Sequence, residues 1–344
     1  MKRTLLMAFL GAALGGAGAL VACGDSTTMT TPTGTDVTMA KGDYHDFVVD
    51  SLKLPTSKEQ YSTDLDGDGK SDNALANIIN VLGSQMLYAQ EGVDKSIANG
   101  DVVILFSVQS SDAALSKDDT AGVTLYVGKA MPANCQKDDA GLKFDGGTCT
   151  GGPDFSGMGM FTVDAGVAPA AFFGKIAGGV LKSNNPVTTK IPVTAQLKLA
   201  LVDGAPAITL ATNGAHIQFT VTGGKLTDGA LQGSVKITDL QNSVLPSVAM
   251  FLTDKIMAAP TGSTEKSIKD LFDTGDCGTA MKGDNKIDVC ERAGADLIKN
   301  LLGADIQVFT PPGSSTYAPV PKSKTGDSLS LGVGFTAVGA KIMK

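Results

Sequence analysis

Apolar and polar residues alternate with a period of two through the middle of this chain. Between residues 193 and 201, Val193, Ala195, Leu197, Leu199 and Leu201 alternate with Thr194, Gln196, Lys198 and Ala200, which predicts a strand buried on one face. Shorter apolar runs predict strands over 47–54, 102–108, 123–127 and 161–163, the first halted by Pro55. Residues 208–212, 217–221 and 231–237 predict a meander broken at Asn213-Gly214 and Gly223-Gly224. Residues 328–342 read as a strand-like tail.

A helical period stands on either side of this block. Leu75, Ile78, Ile79, Leu82 and Met86 share one face, and a second short helix over about 90–98 stops at Gly100. A third has Pro246 near its first turn and Val248, Phe251, Leu252 and Ile256 inward. Residues 265–302 read helix, loop, helix. Strands in one block with helices before and after predict an α+β fold. The expected architecture is an antiparallel, curved, meander- or sandwich-like sheet packed with several helices. Residues 43–344 then form one body: an acidic loop and helices over 55–100, a β-rich part over 101–238, helices and a second acidic loop over 239–303, and a strand region over 304–344.

The first 22 residues stand apart. Lys2 and Arg3 precede an uncharged stretch of apolar and small residues, the pattern of an export signal. A membrane span needs roughly 20 such residues, but the several glycines here weaken a helix. The stretch ends in Leu20-Val21-Ala22-Cys23. This resembles the lipobox of bacterial lipoproteins. The resemblance implies cleavage before Cys23 and a diacylglycerol on its thiol. Gly24 rather than aspartate follows the cysteine, which by the family's sorting rule implies the outer membrane or the cell surface. Acyl chains contribute about 0.8 kcal/mol per buried CH₂, so the anchor would be stable. Residues 23–42 then read as the lipidated cysteine and a polar, Thr-rich tether. In overall layout the chain resembles surface lipoproteins of Gram-negative bacteria, a resemblance that carries no activity with it.

Charge and cysteine usage narrow the class. The chain has 28 basic and 35 acidic residues, a net charge of −7, and becomes more acidic once Lys2 and Arg3 are removed. That argues against nucleic acid and against anionic lipid surfaces as partners. With 42 glycines, tight turns are expected throughout. Of five cysteines, lipid takes Cys23. Pairing neighbours, Cys135 with Cys149 and Cys277 with Cys290, is the simplest of three connectivities for the rest. A metal site or redox pair is the rival, although no CxxC occurs.

The sharpest constellation is Asp64-Leu-Asp66-Gly-Asp68-Gly69-Lys-Ser-Asp72. Carboxylates at every second place of a tight loop converge on one point, and calcium takes six to eight oxygens at roughly 2.3–2.6 Å. The loop resembles an EF-hand. In that resemblance Asp64, Asp66 and Asp68 hold positions one, three and five, and Gly69 the turn at six. Lys70 gives a backbone carbonyl at seven, and Asp72 holds nine. The family's bidentate glutamate is missing, because Leu75 stands at twelve, so the loop also resembles the DxDxDG loops of other extracellular calcium proteins. A solvated acidic turn is the bland alternative. A second loop matches the back half of an EF-hand: Asp284 at five, Lys286 at seven, Asp288 at nine and Glu291 at twelve, with Asp273 and Asp276 upstream. A Cys277–Cys290 bridge would close it. The expected cofactor is one or two structural Ca²⁺ ions.

Signals for catalysis are absent. There is no GxSxG elbow, HExxH, Walker loop or dinucleotide fingerprint, and His45 and His216 stand alone in sequence. The Gly-rich run from Phe155 to Phe161 reads as a turn or a flap. The pattern points to an anchored, calcium-stabilised binding or structural module, with the membrane as one partner and a protein, glycan or hydrophobic molecule as another. A carrier of lipid in a sheet–helix cavity is the alternative, and a calcium-dependent hydrolase using paired carboxylates a third.

Overall fold

The computed structural model describes residues 40–76, 86–131, 152–184, 192–199, 207–244, 253, 257, 274–275, 288–289, 304–312 and 314–344. In chain order the elements are β1 (Asp43–Lys53), α1 (Met86–Asn99), β2 (Ile104–Ser110), β3 (Lys117–Ala130), β4 (Met160–Val163), β5 (Ala170–Ala177) and β6 (Val180–Ser183). They continue with β7 (Ala195–Leu199), β8 (Ile208–Thr222), β9 (Lys225–Lys236), β10 (Thr274–Gly275), β11 (Asp288–Val289), β12 (Ser328–Gly339) and β13 (Lys341–Met343). About half the described residues are strand and about a tenth helical.

Eight strands form a closed ring in the order β3–β2–β1–β12–β9–β8–β6–β5, and β5 returns to β3. Every pairing in the ring is antiparallel. The fold is therefore a closed β-barrel, which corrects the expectation of an α+β sheet packed with several helices. Two strands that the apolar pattern leaves unannounced make the difference. β5 and β6 are joined at Gly178-Gly179, whose φ values of 59° and 78° suit a tight hairpin turn. They carry the sheet from β8 round to β3. Closure pairs both sheet edges, so the core lies inside the ring and needs no covering helices.

Several expected elements are found with different bounds. The meander was expected to break at Asn213-Gly214. Instead β8 runs on through a bulge there, with Gly214 at φ 59°. The turn at Gly223-Gly224 is present, with φ values of 58° and 74°. The helix expected near 90–98 is α1, and it ends before Gly100 at φ 80°. Beyond β9 the described chain forms a short helical turn, Ile237–Asp239, which continues as one π turn, Leu240–Val244. Most of the helices read over 75–86, 246–257 and 265–302 lie outside the described residues. Among described residues, no helix is long and apolar enough to cross a membrane.

The barrel interior is apolar. Val49, Phe106, Leu125, Phe172, Phe219 and Leu331 come from six different strands into one buried cluster. Phe335 meets Phe106 at 4.9 Å and Phe219 at 6.4 Å between ring centroids, so aromatic rings occupy the middle. α1 adds Val93 and Ile97 to the same cluster. It is tied to the end of β1 by Gln90, whose amide donates to Leu52 O at 2.8 Å and accepts from Leu54 N at 2.9 Å. The outer face of the ring carries Lys175, Lys182, Gln218 and Thr220. At those positions the outer face is polar, unlike the apolar band of a barrel that faces lipid.

The hairpin between β2 and β3 holds a buried carboxylate. Burial alone would raise the Asp118 pKa. Its bonds from Thr120 N, Ser111 N, Ser110 Oγ and Ser111 Oγ outweigh that and bring it down to about 2. A depressed carboxylate adds stability that is fully present above its unfolded pKa and is lost as pH falls toward the folded value. Asp118→Asn should therefore cost about 1–3 kcal/mol at pH 7. The gap to the natural protein should narrow between pH 4 and pH 2, read from urea midpoints at each pH.

Candidate metal centre

The site grows out of an unfilled half of one barrel seam. β1 pairs with β12 only from Gly339 back to Gly334. From 333 down to 328, β12 has β9 on one side and, among the described residues, only an isolated bridge between Ile306 and Ser328 on the other. Side chains take over there. Asn73 Nδ2 donates to Gly332 O at 3.1 Å, and Gly332 N donates to Asn73 Oδ1 at 3.1 Å. Ser330 N donates to Asp305 Oδ1 at 2.7 Å, and Ser330 Oγ donates to the other Asp305 oxygen. Ala74 N donates to Ser330 Oγ at 2.7 Å. Buried backbone groups that a ninth strand would have satisfied are thus met by an amide and a carboxylate.

This arrangement straps residues 60–74 across the outside of β9 and β12. Tyr61 lies directly over Gly332 and Gly334, where any Cβ would collide with it. Gln232 Nε2 donates to Ser62 O at 3.0 Å. Thr63 and Asp72 then form a bridge, with Asp72 N donating to Thr63 O at 2.8 Å, and the acidic loop closes beyond it. Leu65, at the root of the loop, is buried against Ile306, Val308 and Phe309. Because Leu65 points into the body, its neighbours Asp64 and Asp66 are fixed as well.

Of the five residues expected at the first loop, three come together. One oxygen from each of Asp64, Asp66 and Asp72 lies within 4.8 Å of the others. Asp64 Oδ1 also accepts from Gly67 N at 2.6 Å and Oδ2 from Gly69 N at 3.0 Å, with both glycines in the left-handed region. Asp66 accepts from Asp68 N at 2.9 Å, and Asp72 Oδ2 accepts from Leu65 N at 2.9 Å. Asp68 stands outside the triad. It accepts from Lys70 N at 2.8 Å, and its second oxygen lies 3.8 Å from Lys70 Nζ. Asp66 is only 6% exposed, so the triad is half sunk into the surface.

The structure adds a fourth carboxylate. Burial raises the Asp72 pKa to about 6; the Leu65 N–H opposes this, and the charges of Asp66, Asp305 and Asp64 add to it. Burial likewise raises Asp305, against its two bonds from Ser330, with Asp66 adding to the shift. Asp305 therefore stands in the electrostatic field of the triad. It is over 230 positions away in sequence, with no motif around it. Three carboxylates this close, with a fourth in their field, repel one another unless a cation or protons intervene. Converging carboxylate oxygens are the donor set of a hard cation such as Ca²⁺.

Other expected site residues fall elsewhere. Asp288 lies on β11 and pairs with Gly275 of β10. Asp273, Asp276, Asp284, Lys286 and Glu291 lie outside the described residues, as do Cys23, Cys135, Cys149, Cys277 and Cys290. His216 is buried beneath the strap, and its Nδ1 lies 3.0 Å from Gln232 Oε1. Burial lowers its pKa despite that bond, which makes it a neutral packing partner. No family model, curated protein or solved structure matches this chain.

Proposed function

We propose that this protein is a lipid-anchored β-barrel of the outer membrane or cell surface, clipped by a structural calcium ion, and that it serves as a binding or structural module. The convergence of Asp64, Asp66 and Asp72 on a strap lying over the half-open seam carries this reading. An ion there would offset the mutual repulsion of the carboxylates. It would also stiffen residues 60–74, which cover the unpaired part of β12. Extracellular calcium modules bind at roughly 10⁻⁴–10⁻³ M and stay filled where calcium is plentiful. The anchor rests on Leu20-Val21-Ala22-Cys23 and fits a barrel whose outer face is polar.

Calorimetric titration with calcium, paired with thermal melts of the full chain, tests the clip. At calcium a hundredfold above Kd the gain should be about 2.7 kcal/mol. Asp66→Ala should remove one bound ion and most of the rise in Tm. An unchanged stoichiometry in that variant would sink the proposal. Cys23→Ser should move the protein from the membrane fraction to the soluble one, and retention would argue against the anchor.

Carriage of a lipid or another hydrophobic molecule is a second reading, with which a closed barrel is compatible. Organic extraction and mass spectrometry of the natively purified protein distinguishes the two. A stoichiometric extracted ligand supports the carrier, and a ligand-free barrel supports the module.

A further inference from the structure

Residues 340–344 turn back across the outer face of β1, β2 and β3. β13 pairs in parallel with β4, which borders β3, and Ile342 packs on the small outer cluster of Val48, Leu105 and Phe161. This course delivers Lys344 to a spot that three strands prepare. In the register, Asp46 faces Ser107 and Ser107 faces Thr124. Tyr44 lies two residues before Asp46, and Tyr126 two residues after Thr124. All five share the outer face, so the two tyrosines stand at diagonal corners around Ser107.

Lys344 Nζ lies 4.7 Å from the centroid of the Tyr44 ring and 5.4 Å from that of Tyr126. It also donates to Ser107 Oγ at 3.3 Å. Ser107 is fully buried and gives its single proton to Asp46 Oδ1 at 2.6 Å. Its oxygen therefore has only lone pairs left for an incoming group, and the carboxylate behind polarises it. Two ring faces and one committed acceptor make a receptor for a cation that can itself donate a hydrogen bond.

We propose that this cage is a binding site for a primary alkylammonium ligand and that Lys344 is its tethered occupant. Tyr44 is 48% exposed, which leaves the cage open to solvent on one side. A ligand must displace a lysine held at an effective concentration in the millimolar range, so the natural chain binds weakly and the vacated cage binds better. The site shares no residue with the acidic loop and stands whether or not that loop holds calcium.

The test is titration of the full chain with ethanolamine and, separately, with Nα-acetyl-lysine amide, followed by tyrosine ring NMR shifts. The two present one ammonium on a headgroup stem and on a side-chain stem, and the tighter of them identifies the source. Lys344→Ala should bind about tenfold tighter than the natural chain. Adding Tyr44→Ala should weaken binding again by about fivefold or more. Choline, which cannot donate to Ser107 Oγ, should bind less well than ethanolamine. Both substituted side chains are exposed, so unchanged melting temperatures report an intact barrel. Three results would each overturn the proposal: no saturable shift of the Tyr44 and Tyr126 rings, no gain on removing Lys344, or indifference to Tyr44→Ala.

Discussion

Phe335→Ala is expected to cost about 3–5 kcal/mol, the range for emptying an aromatic site in a packed core. Phe335 is 3% exposed and, among the described residues, is the ring that touches both Phe106 and Phe219. Those partners sit on β2 and β8, so Phe335 on β12 links walls of the barrel that share no hydrogen bonds. It lies over Gly229, its paired residue on β9, where a Cβ would come within 2.5 Å of the ring. No neighbouring side chain stands there to relax into the void. For a chain of 344 residues the loss should lower Tm by roughly 4–8 °C. Phe335→Leu, which keeps most of the volume, should cost under about 1.5 kcal/mol. Equal losses in the two variants would mean that the rings are not packed against one another.

Gly332→Ala should be nearly as damaging, for a different reason. A Cβ at this position would lie 1.8 Å from the backbone oxygen of Tyr61, which no rotamer change can clear. The strap must lift, and the paired amide bonds between Asn73 and Gly332 then stretch or break. We expect a loss of about 3 kcal/mol, as overpacking and unsatisfied backbone groups add. The variant should also lose most of its stabilisation by calcium, because the triad depends on the strap being seated. Gly69→Ala makes a useful contrast. It strains a left-handed residue at φ 84° but meets nothing within 4 Å. Its cost should stay near 1 kcal/mol. A calcium response in Gly332→Ala equal to that of the natural chain would uncouple the strap from the site.

Apolar runs and turn signals announced at least part of most ring strands, because strands such as β2 and β12 have strongly apolar inward faces. They missed β5, where Ala170, Ala171 and Gly174 dilute the alternation, and β6, which is only four residues long. Those are the strands that close the barrel, so the architecture was misread from two weak segments. The break expected at Asn213-Gly214 was a real irregularity given the wrong meaning, since a bulge and a turn use the same residue types. At the site, the spacing of Asp64, Asp66 and Asp72 carries their convergence, because one short loop imposes it. Asp305 and Asn73 were invisible: their role depends on which part of β12 the end of β1 leaves uncovered. The Ser107 cage was equally hidden, since it needs three strands in register and the last residue of the chain.

The seam between β1 and β12 joins strands far apart in the sequence. Asp50 and Thr336 are bonded across it, 286 positions apart. Until β12 is made, β1 has β2 as its one ring neighbour, and the ring cannot shut. Such distant contacts make for slow folding, because a long loop must be ordered before they contribute. The barrel is therefore expected to shut in one late step, once β12 is docked between β1 and β9.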